Sequence, residues 1–214
     1  MQGVHALAQV ASLALECSIP VENLAKALND TLPAAIRVLA VEEAVREFHA
    51  RKSARAKTYE YRMHRCAIVS PFVARYVWHY PFPLDEGAMA RAARLVEGEH
   101  DFTSFAAVDP EKREAGSAAA GTDFRTEART SDVPSNVRRI HASSWERRGE
   151  ELVYTVRGSG FLHHMVRNLV GTFVLVGKGT IDHEELRKIL AARDRSAAGP
   201  TAPGGGLCLV NVEY

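Results

Sequence analysis

Three side chains in the stretch GSGFLHHMVRNLVG could take part in chemistry: His163, His164 and Arg167. The apolar spacing of this stretch predicts a helix, and neighbouring residues of a helix point in different directions, so the two histidines are not expected to share a metal ion. Arg167 is expected at the border of the apolar stripe and therefore half-buried. A half-buried guanidinium needs an anionic partner, and either a carboxylate or a phosphate would serve.

A second stretch, ARKSARAKTYEYRMHR, is strongly basic and contains two tyrosines, Tyr59 and Tyr61. One interpretation is a solvated strand face that carries ordinary surface charges. The other is a groove that follows a phosphate backbone and offers aromatic rings on which bases can stack. The cations of this stretch are Arg51, Lys52, Arg55, Lys57, Arg62 and Arg65, against the single acid Glu60.

Composition excludes several classes of protein. The formal net charge of +1 over 214 residues argues against coating nucleic acid by bulk charge, although a local patch is compatible with it. Three distant cysteines, Cys17, Cys66 and Cys208, suggest neither a disulfide framework nor a CxxC metal site, and favour a reducing cytoplasm. No apolar run is long enough to cross a membrane. The glycine-rich GPTAPGGGL precedes a strand, so it does not match a phosphate-binding loop at a helix start.

Periodicity predicts strands and helices in mixed order, which indicates an α+β fold with an antiparallel sheet and helices packed on it. Gly149 lies at the polar turn of a predicted hairpin, and Tyr59 and Tyr61 fall on one side of their strand. The stretch 110–134 is rich in Ala, Gly and Ser without a period, and is predicted to be a mobile loop. Strands are predicted at 4–10, 35–45, 47–65, 136–160 and 207–214, and helices at 18–33, 83–98, 161–177 and 182–195.

Four blocks in order closely resemble the tRNA pseudouridine synthase A family. They are FHARKSARAKTYEYR, EGEHDFTSFAA, GSGFLHHMVRNLVG and the closing GPTAPGGGLCLVNVEY. The resemblance implies the pseudouridine synthase fold. It also implies a homodimeric cytoplasmic enzyme that converts uridines of the tRNA anticodon stem-loop, positions 38–40, to pseudouridine without cofactor or metal.

The resemblance also implies roles for individual residues. Tyr59 corresponds to the aromatic residue that stacks on the target uracil, Arg167 to the arginine that pairs with the catalytic aspartate, and Leu207 to an apolar residue of the uracil pocket. More loosely, Phe161 and the basic run would line the cleft and hold the RNA backbone. The residues expected to bind RNA are Tyr59, Arg51, Lys52, Arg55, Lys57 and Phe161.

The match fails at the catalytic aspartate. The family block reads Gly-Arg-Thr-Asp-Ala-Gly-Val-His-Ala, and this sequence contains only its end, with Met1 at the position of the aspartate. Methionine cannot attack a uridine as a carboxylate can. The sequence therefore predicts that the chain as given is inactive alone. Residues 1–46 are interpreted as the remnant of an N-terminal synthase domain whose first strand, helix and catalytic aspartate are missing, and residues 47–214 as the C-terminal synthase domain.

Two hypotheses remain open at this stage. In the first, the sequence belongs to an active synthase whose upstream residues carry the aspartate. In the second, the chain is a catalytically dead binder of tRNA or a partner subunit of an intact homologue. A hydrolase that uses a metal bound by His5, His163 and His164 is the third and weakest alternative.

Overall fold

The computed structural model describes residues 3–16, 19–107 and 135–214. The predicted mobile loop at 110–134 and residue 1 both lie outside the described residues. The chain forms two compact units, one made by residues 10–54 and one by the residues up to 9 together with 55–214. The assignment of residues 1–46 to a remnant of an N-terminal synthase domain stays a prediction.

The larger unit is built on a seven-stranded mixed sheet, so the α+β prediction is confirmed. Strand order is β1-β7-β2-β6-β5-β4, and β3 pairs with β2 beside this path. The pairs along the path are antiparallel except β1 with β7, which is parallel, as is β3 with β2. The strands are β1 His5–Ala6, β2 Ala56–His64, β3 Trp78–His79, β4 Gly98–Asp101, β5 Val137–Arg148, β6 Glu151–Gly158 and β7 Leu207–Glu213.

The long hairpin β5–β6 forms where the sequence predicts it. Gly149, at its turn, has a φ of +59°, a left-handed conformation that glycine adopts without steric cost. Leu152, Tyr154 and Val156 on β6 are buried, and they supply part of the core between the sheet and the helices. The hairpin therefore forms part of the sheet face against which the helices pack.

Local sequence signals explain where the helices begin. Asp85 caps one helix by accepting a hydrogen bond from the backbone of Ala88, and Asp182 and Glu185 form a reciprocal capping box at another. Nearly all of α3 is buried, and α2 packs against both α3 and β5. The helices are α1 Val21–Thr31 in the smaller unit, and α2 Glu86–Arg94, α3 Met165–Gly177 and α4 His183–Ala192 in the larger one.

Two strand predictions near the start of the chain are wrong. The strand expected at 4–10 contains only β1, and residues 35–45 form no strand. The apolar side chains Ile36, Leu39 and Val45 are exposed, so the alternation there does not reflect a half-buried sheet face. The extended stretch expected from 47 likewise begins only at Ala56.

Helix α3 approaches the loop before β7 so closely that its glycine has no room for a side chain. A Cβ on Gly171 would lie 1.7 Å from the carbonyl oxygen of Pro200, which belongs to the backbone and cannot rotate away. This contact fixes the distance between α3 and the segment 199–206 that leads into β7.

We predict that Gly171→Ala lowers the free energy of unfolding by about 3 kcal/mol, because the added methyl group forces α3 away from Pro200. Urea unfolding followed by circular dichroism measures the change. Gly160→Ala is the matched control, since a Cβ there meets only the Arg138 side chain at 3.6 Å. Equal stability of the two variants would contradict this account of the packing.

Candidate active site

Tyr61 forms the centre of the candidate site. Its side chain is fully buried on the helix-covered face of β2, and its hydroxyl donates a hydrogen bond of 2.7 Å to the carbonyl oxygen of Pro203. Burial raises the pKa of the phenol well above its usual range, so the hydroxyl stays protonated. A Cβ on Gly206 would lie 2.8 Å from the tyrosine ring, so only glycine allows this approach.

Tyr59 lies two residues earlier on the same face of β2, as the sequence predicts. Its ring is partly buried and packs edge-to-face against Phe161, with centroids 5.0 Å apart and planes at 79°. The same burial raises the pKa of its phenol. Two of the predicted RNA-binding residues, Tyr59 and Phe161, are thus in contact.

Leu207 is opposite Tyr61 in the register of β2 and β7. Its side chain is almost entirely buried, with 2% of its surface exposed. The structure therefore places it inside the core next to Tyr61, so a uracil pocket would meet it only after the surrounding side chains move.

Arg167 lies in the first turn of α3, where two neutral groups hold its guanidinium. Its Nε donates a hydrogen bond of 2.7 Å to the Ala202 carbonyl oxygen, and one terminal nitrogen lies 3.2 Å from Nε2 of His164. Burial lowers the pKa of the guanidinium, and the nearby Tyr61 opposes this shift. Among residues 3–16, 19–107 and 135–214, no carboxylate lies within ion-pair distance of Arg167.

The sequence-based placement of His163 and His164 on the helix is wrong. Both precede α3, and His164 caps it in a left-handed conformation with a φ of +59°. Their rings consequently stack at 4.0 Å instead of pointing apart. Burial, followed by the charges of His163 and Arg167, lowers the pKa of His164 to about 4, so its neutral Nε2 accepts a hydrogen bond from Arg167.

The basic run divides into structural and exposed cations. Arg62 forms a bidentate ion pair with Glu151 at 2.7 Å, and Arg65 contacts Glu86 at 3.4 Å, which favours a structural role for both. The other four cations of the run are divided between the two units. Arg51 and Lys52 are exposed in the unit of residues 10–54, whereas Arg55 is exposed and Lys57 partly buried in the larger unit.

The start of the described chain lies beside the turn that precedes β7. A Cβ on Gly3 would approach the backbone nitrogen of Gly205 at 3.9 Å, and β1 pairs with Cys208 and Leu209. Nε2 of His5 donates a hydrogen bond of 3.1 Å to the Arg75 carbonyl oxygen, and the imidazole packs on Tyr76. His5 is thus held by the turn at residues 74–76. Among the described residues, the side chains close enough together to bind a metal ion include neither His5 nor His163 and His164.

The chain is similar in sequence to curated enzymes along nearly its whole length. Residues 115–214 match the family described as tRNA pseudouridine synthase. The tRNA pseudouridine synthase A of Solibacter usitatus is 50% identical over 99% of this chain and 78% of its own length. Those of Moorella thermoacetica and Halalkalibacterium halodurans are each 42% identical, over 99% and 96% of this chain and 78% and 70% of their own. The chain belongs to the tRNA pseudouridine synthase A family, a family of isomerases.

Sequence reasoning missed two residues of this site, Tyr61 as its buried centre and His164 as the acceptor for Arg167. The polar alternation of TYEYR placed Tyr61 beside Tyr59 but could not show that its hydroxyl reaches Pro203, 142 residues away. The bond between His164 and Arg167 depends on the left-handed turn at His164, which the helical pattern did not indicate.

We predict that the chain loses stability between about pH 6.5 and pH 4 partly through His164. The folded state holds this histidine neutral down to about pH 4, while the unfolded chain takes up a proton near its ordinary pKa, so acid favours unfolding. Because the ring is only partly buried, we expect a contribution of about 1 kcal/mol. His164→Asn, which tolerates the left-handed backbone, should reduce the pH dependence of the urea midpoint by that amount.

The control for this experiment is the unaltered chain, whose urea midpoint is measured at about pH 7 and about pH 4.5 under the same conditions. An unaltered pH dependence in His164→Asn would show that this imidazole does not contribute.

Proposed function

We propose that this sequence belongs to a tRNA pseudouridine synthase that acts on the anticodon stem-loop, positions 38–40. The observation that carries the proposal is the state of Arg167: a partly buried cation beside Tyr61, bonded to a carbonyl and an imidazole but to no carboxylate of the described residues. A buried cation without a counter-charge is costly, so the site is suited to receive an anion.

The anion that we propose is the aspartate of the family motif. The motif leads into Gly3, and a Cβ on Gly3 would lie 3.9 Å from the backbone nitrogen of Gly205 in the turn before Leu207, which supports this proposal. A guanidinium within ion-pair distance would lower the pKa of the aspartate and keep it ionised as a nucleophile. Because Met1 occupies the motif position of the aspartate, we propose that the 214-residue chain is inactive alone.

The reaction breaks the bond between N1 of uracil and C1′ of the ribose and forms a bond from C5 to the same carbon. C5 loses its proton to solvent and N1 takes up a proton, so the product is an isomer of the substrate. The base must leave the helical stack to turn over, which favours a pocket with an aromatic wall. We assign this wall to Tyr59, whose ring is already fixed against Phe161.

We further propose that the phosphate backbone of tRNA contacts Arg51, Lys52, Arg55 and Lys57, and that the active enzyme is a cytoplasmic homodimer. The exposure of Arg51, Lys52 and Arg55 supports the first of these assignments. No helix in the described ranges is long and apolar enough to span a membrane.

We predict that the chain joined to an N-terminal segment of the family, which supplies the first strand and helix and ends in Gly-Arg-Thr-Asp-Ala before Gly3, forms pseudouridine in a tRNA anticodon stem-loop. The chain as given is expected to form none. Release of tritium from C5-labelled uridine in the tRNA measures turnover. The matched control replaces that aspartate with asparagine, which keeps the size but removes the nucleophile. No pseudouridine from the aspartate version, when it is folded, would contradict the proposed enzyme.

The same preparations separate the second candidate. Salt-dependent tRNA binding without turnover by the aspartate version would favour the binder or partner-subunit hypothesis. If the aspartate version shows no binding and no turnover, both hypotheses are rejected.

We predict that Tyr59→Ala weakens tRNA binding about 5- to 100-fold, because it removes the ring on which the extruded uracil stacks. Tyr59→Phe should retain affinity, since the stacking face and the contact with Phe161 remain. A fluorescence-anisotropy titration with an anticodon stem-loop RNA measures both variants. Equal weakening in both would indicate that the hydroxyl, and not the stacking surface, binds the RNA.

A further inference from the structure

Three side chains of metal-ligand type converge at the end of β2 and the turn of the β5–β6 hairpin. His64 is the last residue of β2, Cys66 follows two residues later, and Glu150 lies in the hairpin turn. A backbone hydrogen bond of 2.9 Å from Arg65 to the carbonyl of Glu150 holds the two segments together. One potential ligand atom from each of the three side chains lies within 4.8 Å of the others.

The imidazole of His64 is buried without being fully hydrogen bonded. Only 7% of its side chain is exposed, and its Nδ1 has no hydrogen-bond partner among the described residues. Its Nε2 faces the cluster, 3.2 Å from the Ile68 carbonyl oxygen and 3.7 Å from a Glu150 carboxylate oxygen. Coordination of a metal through Nε2 would replace the contact with the Ile68 carbonyl oxygen and place the imidazole proton on Nδ1.

These distances are close to those of a tetrahedral zinc site. Bond lengths of about 2.0–2.3 Å to nitrogen, oxygen and sulfur separate neighbouring ligand atoms by about 3.3–3.8 Å. The 3.7 Å between His64 and Glu150 already lies in this range. Glu150 has 69% of its side chain exposed at a hairpin turn, so its carboxylate can adjust its position by a change of rotamer.

The surrounding charges are compatible with a cation. Arg147 and Arg65 contact the carboxylate of Glu86. Arg62 and Arg148, which line the same depression, are paired with Glu151 and Glu60. Binding of a divalent ion would release the proton of the Cys66 thiol, so the thiolate and the Glu150 carboxylate would be two anionic ligands.

We propose that His64, Cys66 and Glu150 bind Zn²⁺, with water in the fourth position. The site opens on a surface depression that His64, Ile68, Ser70, Val73 and Glu150 help to line, so an ion can enter from solvent. It joins the end of the central strand β2 to the hairpin turn and would stabilise both. His64 points to the opposite face of β2 from Tyr59 and Tyr61, so the site is separate from the one proposed for uridine.

The test uses the full chain, purified in chelator and then titrated with Zn²⁺ or Co²⁺. We expect one Zn²⁺ per chain, and with Co²⁺ a thiolate charge-transfer absorption in the near ultraviolet. Cys66→Ser should abolish that absorption, and Glu150→Gln should weaken Zn²⁺ binding at least about tenfold, the loss that even an outer-shell change brings. Zn²⁺ should also raise the melting temperature of the unaltered chain, because it binds only the folded state.

Cys208→Ser is the matched control, since Cys208 is the other free cysteine of the described residues and lies in β7. It should retain both the absorption and the affinity. Both Cys66 and Glu150 lie outside the buried core, so the variants are expected to fold, which metal-free urea unfolding checks. Absence of saturable binding, or equal binding by Cys66→Ser and the unaltered chain, would overturn the proposal.

Discussion

The candidate site depends on the hydrogen bond that the buried hydroxyl of Tyr61 donates to the carbonyl oxygen of Pro203. A phenol on the covered face of a sheet must find an acceptor, and the loop before β7 supplies it. This bond requires the loop to lie against the ring, and Gly206 permits that distance because it has no side chain. The turn into β7, the position of Leu207 and the carbonyl that binds Arg167 all belong to this loop.

Unlike the hydroxyl of Tyr61, the guanidinium of Arg167 is charged, and the described residues bind it through a carbonyl oxygen and an imidazole without a carboxylate. The mutual backbone and side-chain bonds between Arg167 and Ala202 fix the guanidinium, and His164 is kept neutral to accept from it. The family aspartate would complete this arrangement as the nucleophile whose ionisation the cation favours. The carbonyl oxygen of Ala202 and the imidazole of His164 hold the guanidinium in place but leave its positive charge available to an anion from another segment.

The two faces of β2 divide the chemistry of the larger unit. Odd-numbered positions such as Tyr59 and Tyr61 face the helices and the proposed uridine site, while Arg62 and His64 lie on the other side. On that second face Arg62 is neutralised by Glu151, and His64 meets Cys66 and Glu150. A single strand thus supplies both the aromatic residues of the family motif and one of the proposed zinc ligands, His64.

The sequence by itself determined the family, the α+β class, the hairpin at Gly149 and the helices that Asp85 and Asp182 cap. Motifs, turn glycines and caps act over a few residues, so they can be recognised without the fold. Only the tertiary structure decided that Tyr61 binds Pro203, that His164 turns left-handed to meet Arg167, and that residues 35–45 leave their apolar side chains exposed. These outcomes depend on partners far away in the chain or on whether a neighbouring strand is present to pair. The alternation and spacing of residues within one segment do not indicate which distant segment packs against it, and that packing decides which hydrogen bonds form.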